Sequence, residues 1–207
     1  MRTPGIFLII FLCYPLLLSA QTGARFRDST SLDVMTQESD ARECYRAAGI
    51  AARIHYTSSR DLENCTYALQ RGAMSPRDRA ATYTNRGIIN MSLKNYEDAI
   101  ADYKAAMELR PDFGEIHINI GNVYFLDQSY FEAIDEYTVA IEKETSRIHI
   151  AYINRGMAYE KLGNFDRAEE DYLVAKELLP DAALPQLRLD ELERARREAA
   201  SGNKEEQ

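Results

Sequence analysis

Three glycines set the strongest constraint on this chain. Gly87, Gly121 and Gly156 stand 34 and 35 residues apart, in the contexts Asn85-Arg86-Gly87, Asn119-Ile120-Gly121 and Asn154-Arg155-Gly156. Twelve residues after each glycine comes an alanine (Ala99, Ala133, Ala168), four further on a tyrosine (Tyr103, Tyr137, Tyr172), and three beyond that another alanine (Ala106, Ala140, Ala175). An aromatic precedes each first alanine by three: Tyr96, Tyr130 and Phe165. Self-similarity at such a period describes one supersecondary unit repeated, each unit unable to bury its apolar face without a neighbour.

The spacing has a physical reading. Gly87 and Ala99 lie about six residues either side of a turn near Lys94-Asn95. Two antiparallel helices meeting there approach closely only if both residues are small. Tyr103 and Ala106, three apart, share one face of the second helix: the tyrosine fills the gap, and the alanine lets the next unit dock. Pro111 ends the second helix of its unit, because proline cannot continue one.

This pattern resembles the tetratricopeptide repeat family, whose units are helix–turn–helix with a period of 34. The resemblance covers residues 80–181 and implies an all-α solenoid with units at 80–113, 114–147 and 148–181. Departures are local. Asn90 stands where the other units carry Tyr124 and Tyr159, Thr145 replaces the closing prolines Pro111 and Pro180, and the second unit has one extra residue. Thr145 or Ser146 can N-cap the third unit's first helix instead.

The flanks complete the scheme. Residues 39–78 have the length of a further hairpin, with Gly72 and Pro76 closing its second helix, but lack the glycine–alanine signature, so they form a degenerate repeat or an N-terminal cap. Residues 182–200, with Pro185 suited to a first turn and Leu184, Leu187, Leu189 and Leu192 apolar, predict a capping helix. Asp190–Arg194 and Glu193–Arg197 are favourable pairs on it. Residues 201–207 read as a flexible tail and the polar stretch 21–38 as a flexible leader.

Residues 1–20 have another logic. Arg2, the apolar run Gly5 to Leu18, and Leu18-Ser19-Ala20 before Gln21 form the three-part pattern of a secretory signal peptide, with cleavage after Ala20. The alternative is an uncleaved anchor, for which the run is short and broken by Pro15; membrane contact is expected only in that case. Export to a periplasmic or secreted location follows, and with it an oxidising compartment for Cys44 and Cys65, an even pair that predicts a disulfide. Geometry opposes the bridge if ideal helices 40–56 and 59–72 turn near Thr57, since Cys44 then sits about two turns from Cys65. The bridge requires a shorter first helix and a longer connection. No Cys-x-x-Cys redox motif is present.

Charge narrows the partners. The chain carries a net −8, or −9 once Arg2 is removed with the signal, which argues against nucleic acid and anionic membrane surfaces.

The resemblance implies a concave face made by the first helix of each unit. Asn85, Asn119 and Asn154 recur two before each glycine, and a primary amide offers both donor and acceptor to the backbone of an extended peptide. The competing reading is that these asparagines bond neighbouring repeats or helix carbonyls. Other residues of that face are Ala81, Thr84, Ile88, Met91, Glu115, Ile118, Asn122, Phe125, Ile150, Ile153, Met157 and Glu160. One branch of the family clamps a partner's C-terminal carboxylate with Lys and Arg here; Ala81, Thr84, Ile150 and Asn154 occupy those places, so that clamp is not supported. Arg86 and Arg155 are expected to pair with acids at repeat junctions.

Thirteen tyrosines and no tryptophan invite an aromatic-cage reading, but most tyrosines fall on repeat core positions. His55, His117 and His149 lack metal-ligand spacing. Glu97, Asp98, Asp102, Glu132, Asp135 and Glu136 read as a solvated outer face rather than an acid/base pair. No phosphate loop, nucleophile elbow or zinc motif occurs. The expectation is a non-enzymatic adaptor without cofactor, metal or small-molecule substrate, which holds a partner protein's extended segment or helix. The alternative is an envelope scaffold that self-associates through its convex face or ends.

Overall fold

The computed structural model describes residues 32–54, 57–71 and 74–202. Among these, every regular element is an α-helix: α1 (Leu32–Ile54), α2 (Ser59–Arg71), α3 (Pro76–Ser92), α4 (Tyr96–Leu109), α5 (Glu115–Leu126), α6 (Tyr130–Glu142), α7 (Ile148–Lys161), α8 (Phe165–Leu178) and α9 (Ala183–Gly202). The predicted signal peptide, leader residues 21–31, His55 and tail residues 203–207 lie outside the described residues.

Consecutive helices pair as four hairpins, and the second helix of each hairpin packs on the first helix of the next. Helix α5 joins two apolar clusters: Ile116, Ile120 and Val123 pack with the units before it, and Ile118 and Phe125 with the units after it.

The recurring glycines are explained by the recurring tyrosines. A Cβ added to Gly87 would lie 2.6 Å from Cε1 of Tyr103, one on Gly121 2.5 Å from Cε1 of Tyr137, and one on Gly156 2.6 Å from Cε1 of Tyr172. Each tyrosine is wholly buried, its ring lying against the glycine's backbone. The turns repeat too. Lys94, Gln128 and Gly163, each seven residues after the repeat glycine, have φ of 64°, 65° and 72°, a left-handed geometry that only glycine adopts without cost.

Several boundaries differ from expectation. Helix α1 begins at Leu32, inside the predicted leader 21–38; no Gly or Pro interrupts 32–48, and helix propagation adds a bond for every residue fixed. Pro76 opens α3 rather than closing the helix before it. Ser75 is the N-cap and accepts from the Asp78 amide, with proline in the first turn, where its missing N–H costs nothing. The first unit therefore starts about four residues before 80, and 76–78 belong to it. Neither Thr145 nor Ser146 caps α7, whose N-cap position is Arg147. Thr145 is buried with its methyl against Gly114, and Ser146 donates to Glu115 at 2.6 Å, so both tie the end of unit two to its beginning.

Cys44 and Cys65 form a disulfide with Cα atoms 4.8 Å apart. Helix α1 is described as far as Ile54 and α2 from Ser59, and together they bring the two cysteines within the reach a bridge needs. Both sulfurs belong to residues fully buried in the first core cluster.

At the other end, α9 caps α8 as predicted. Leu192 and Pro185 are buried, Leu184 and Leu189 pack on the core, and Leu187 stays exposed. Arg188 reaches Glu160 and the Tyr172 hydroxyl, and Arg196 reaches Asp166 at 2.9 Å and Glu169 at 3.0 Å. Arg197 pairs with Glu193. Arg194 instead donates to the backbone oxygen of Asp190, whose carboxylate accepts from Gln186.

Candidate functional site

The three asparagines occupy equivalent places on α3, α5 and α7, and all are buried, with relative exposures of 6%, 4% and 3%. Their bonding differs. Asn154 Nδ2 donates to Asn122 Oδ1 at 2.8 Å, and the Tyr137 hydroxyl donates to the same oxygen at 2.8 Å. This rung is a tie between units two and three, the reading that competed with ligand binding. Asn85 and Asn119 make no side-chain hydrogen bond to another described residue, and neither is among the buried polar groups left unsatisfied, so their amides keep access to solvent.

The remaining candidates are also buried. Thr84 donates to the Ala80 carbonyl at 3.0 Å. Ile88 belongs to the first core cluster, and Ile118, Phe125, Ile153 and Met157 belong to the second. Asn122 is wholly enclosed and serves as the acceptor just described. Beside Asn85 and Thr84 opens a small cleft at the start of α3, completed by Arg77, Ala80, Ala81, Arg110 and Phe113. Sequence reading missed Arg77 and Arg110, because the first lies outside the 80–113 unit and the second in the link between units.

Arg86 and Arg155 do pair at junctions. Arg86 binds Asp102 on α4, with a shortest contact of 2.6 Å, and reaches Thr66 of the preceding hairpin at 3.3 Å. Arg155 binds Asp171 on α8 at 2.8 Å and Thr138 of the preceding unit at 3.0 Å. Asp102 is thus a buried partner and not the solvated carboxylate the sequence suggests. Glu136 is half-buried and meets His117 Nδ1 at 2.7 Å. Both residues sit one position before the repeat tyrosine (Tyr103, Tyr137), on the flank of the second helix that turns back toward the first.

Burial, the largest influence, holds the Asp102 and Asp171 carboxyls above the ordinary carboxylate range, against the opposing pull of their arginines. Burial likewise raises the Tyr172 hydroxyl and lowers His149, with Arg147 adding to that effect. Among the described residues no three His, Cys, Asp or Glu side chains converge as metal ligands, and no helix is long and apolar enough to cross a membrane.

Comparison with known proteins agrees with this geometry. Two family models match, one described as TPR repeat over residues 87–128 and one as tetratricopeptide repeat over residues 149–182. The chain is 25% identical over 119 residues to a lipoprotein NlpI homolog of Haemophilus influenzae, covering 58% of this chain and 38% of that protein. It is 31% identical over 135 residues to Hsp70-Hsp90 organizing protein 1 of Arabidopsis thaliana, covering 49% of this chain and 23% of that one. The chain therefore spans well under half the length of these curated relatives. Among solved structures, a tetratricopeptide repeat protein from Parabacteroides merdae superposes with a TM-score of 0.62 at 20% identity, covering 78% of this chain and 60% of that one. The first TPR of Spaghetti, bound to an HSP90 peptide, gives 0.52 at 23% identity, covering 60% and 98%. Repeats of this kind serve as protein-interaction modules. Matched helical hairpins, a shared glycine–tyrosine contact in every unit, and relatives of the same architecture make this chain a tetratricopeptide repeat protein.

Proposed function

We propose that the chain is a non-enzymatic adaptor that holds an extended segment of a partner protein along α3 and α5 on the concave side of the array. The observation that carries this reading is the pair Asn85 and Asn119. Both stand at the same register, with amides that bond to no described residue, and Asn85 borders an open cleft. Neither amide is among the buried polar groups left without a partner, so both remain open to an incoming group, and a peptide backbone supplies both a donor and an acceptor. The third rung is already used by Asn122, so the ligand-binding part of the ladder is two rungs long.

Export to the cell envelope belongs to the same proposal. It is supported by the signal-like Arg2 and apolar run and by a disulfide in the N-terminal hairpin, which suits an oxidising compartment. Fractionation with N-terminal sequencing tests it: a mature chain beginning at Gln21 outside the cytoplasm is expected, and a cytoplasmic chain retaining Met1 refutes it.

The binding test is crosslinking in the native compartment, identification of the crosslinked protein, and measurement of its affinity for N85A/N119A. A loss of at least about tenfold with unchanged helicity is expected; equal affinity sinks the groove reading. A scaffold role has one observation of its own, the exposed apolar side chains Phe131, Leu173, Leu178 and Leu187 on α6, α8 and α9. A monomeric mass in solution at micromolar concentration rejects it.

A further inference from the structure

The cleft at the start of α3 has a chemistry that the asparagines do not share. Its two charged lining residues, Arg77 and Arg110, are both cationic. The chain as a whole is strongly acidic, and arginines elsewhere, such as Arg86, Arg155, Arg188 and Arg196, bind carboxylates within the fold. Neither Arg77 nor Arg110 has an acidic partner among the described residues. The acid nearest in sequence to Arg77, Asp78, is engaged by the Ser75 hydroxyl at 2.7 Å. Arg110 is held over the Phe113 ring, 4.9 Å from its centroid, so part of its ordering cost is met before any ligand arrives.

Its enclosed part is small, about 20 Å³, room for a water-sized group such as a carboxylate oxygen. Thr84 and Asn85 line the same cleft, so a peptide backbone paired with Asn85 would present a neighbouring side chain to the two guanidinium groups. Guanidinium forks match carboxylates in bidentate geometry.

We infer that Arg77 and Arg110 form a specificity subsite for an acidic side chain, Asp or Glu, of the extended partner segment. The subsite rests on the groove reading above and adds the partner's chemistry to it. Two of the positions expected for a terminal-carboxylate clamp, Ala81 and Thr84, line the same cleft without charge; the cations of the subsite, Arg77 and Arg110, lie outside that set of positions.

The test is selection of blocked random heptapeptides, which lack a free C-terminal carboxylate, by the full chain and by R77Q/R110Q. The wild-type chain is expected to enrich peptides with Asp or Glu at one fixed position, and R77Q/R110Q to lose that preference while retaining its helicity. Replacing the enriched acid by its amide in one selected peptide should weaken wild-type binding at least about tenfold and leave R77Q/R110Q binding unchanged. Peptides enriched without any acidic position overturn the subsite and leave the groove standing. An acidic preference that survives in R77Q/R110Q overturns the assignment to these arginines. Failure of the wild-type chain to enrich any peptide overturns the groove and the subsite together.

Discussion

Units one and three are built alike at their junctions, and unit two is not. In the outer units an arginine before the glycine forms a largely buried ion pair with an aspartate on the second helix, and a further bond reaches a threonine of the preceding hairpin. In unit two the same positions hold Ile120, which is 2% exposed in the core, and Glu136, which turns to His117. The glycine–tyrosine contact is the same in all three. One backbone therefore tolerates either an ionic or an apolar junction, while the close approach of ring to glycine admits no alternative. What the architecture demands and what merely fills it are separable within a single molecule.

The sharpest way to break this comparison is to give unit three the apolar solution of unit two. Arg155→Leu leaves Asp171 buried without its partner and should lower stability by about 3–5 kcal/mol, read by urea unfolding. R155L/D171L should recover most of that loss; a double variant as unstable as the single would show that the ionic junction cannot be exchanged. The deficit of R155L should depend on pH. Asp171 already lies above its ordinary value in the folded chain, and removal of the guanidinium raises it further. An acid with a raised folded value contributes stability below its unfolded value, near pH 4, and loses it as pH rises through the folded one. The gap between R155L and wild type should thus be widest at neutral pH and narrow toward about pH 4.

The shared feature should fail in every unit. Gly121→Ala forces a methyl onto Tyr137 and is expected to cost about 1–3 kcal/mol, with Gly156→Ala similar. Smaller effects follow from the turns. Unit three has Gly163 where units one and two strain Lys94 and Gln128, so Gln128→Gly should raise stability by up to about 1 kcal/mol in thermal unfolding. Smallest of all, Glu136→Gln removes one charge of a partly buried pair whose histidine is not permanently charged, and should shift stability by about 1 kcal/mol or less. A larger loss would make unit two's polar pair equivalent to its neighbours' buried ones.

The architecture was legible because its signal is periodic. The glycine, alanine and tyrosine positions carry the packing, and the three hairpins fall where that period places them. Single residues were harder. Asp102 looks like any surface acid until Arg86, sixteen residues earlier, is brought against it, and the same offset in unit three, Arg155 to Asp171, was the available clue. The burial of Asn122 was hidden because its partners, Tyr137 and Asn154, lie in two different units. Pro76 reads equally well as the end of one helix or the start of the next, and only Ser75 and Asp78, placed as a cap, decide between them. The cleft joins the first turn of α3 to an inter-unit link, a juxtaposition that no spacing rule contains.

The disulfide gives the array a direction. In a stack where each hairpin touches only its neighbours, opening begins at the ends and spreads inward. One terminal hairpin has its two helices fastened covalently at Cys44 and Cys65, whereas α9 at the other end is held by packing and by surface charges such as Arg196 on Asp166 and Glu169. Breathing should therefore travel from the C-terminus toward the N-terminus, loosening Asn154 well before Asn85. The anchored end is the one that carries Arg77, Arg110 and the first rung, so a partner seated there would rest on the part of the molecule that is last to let go.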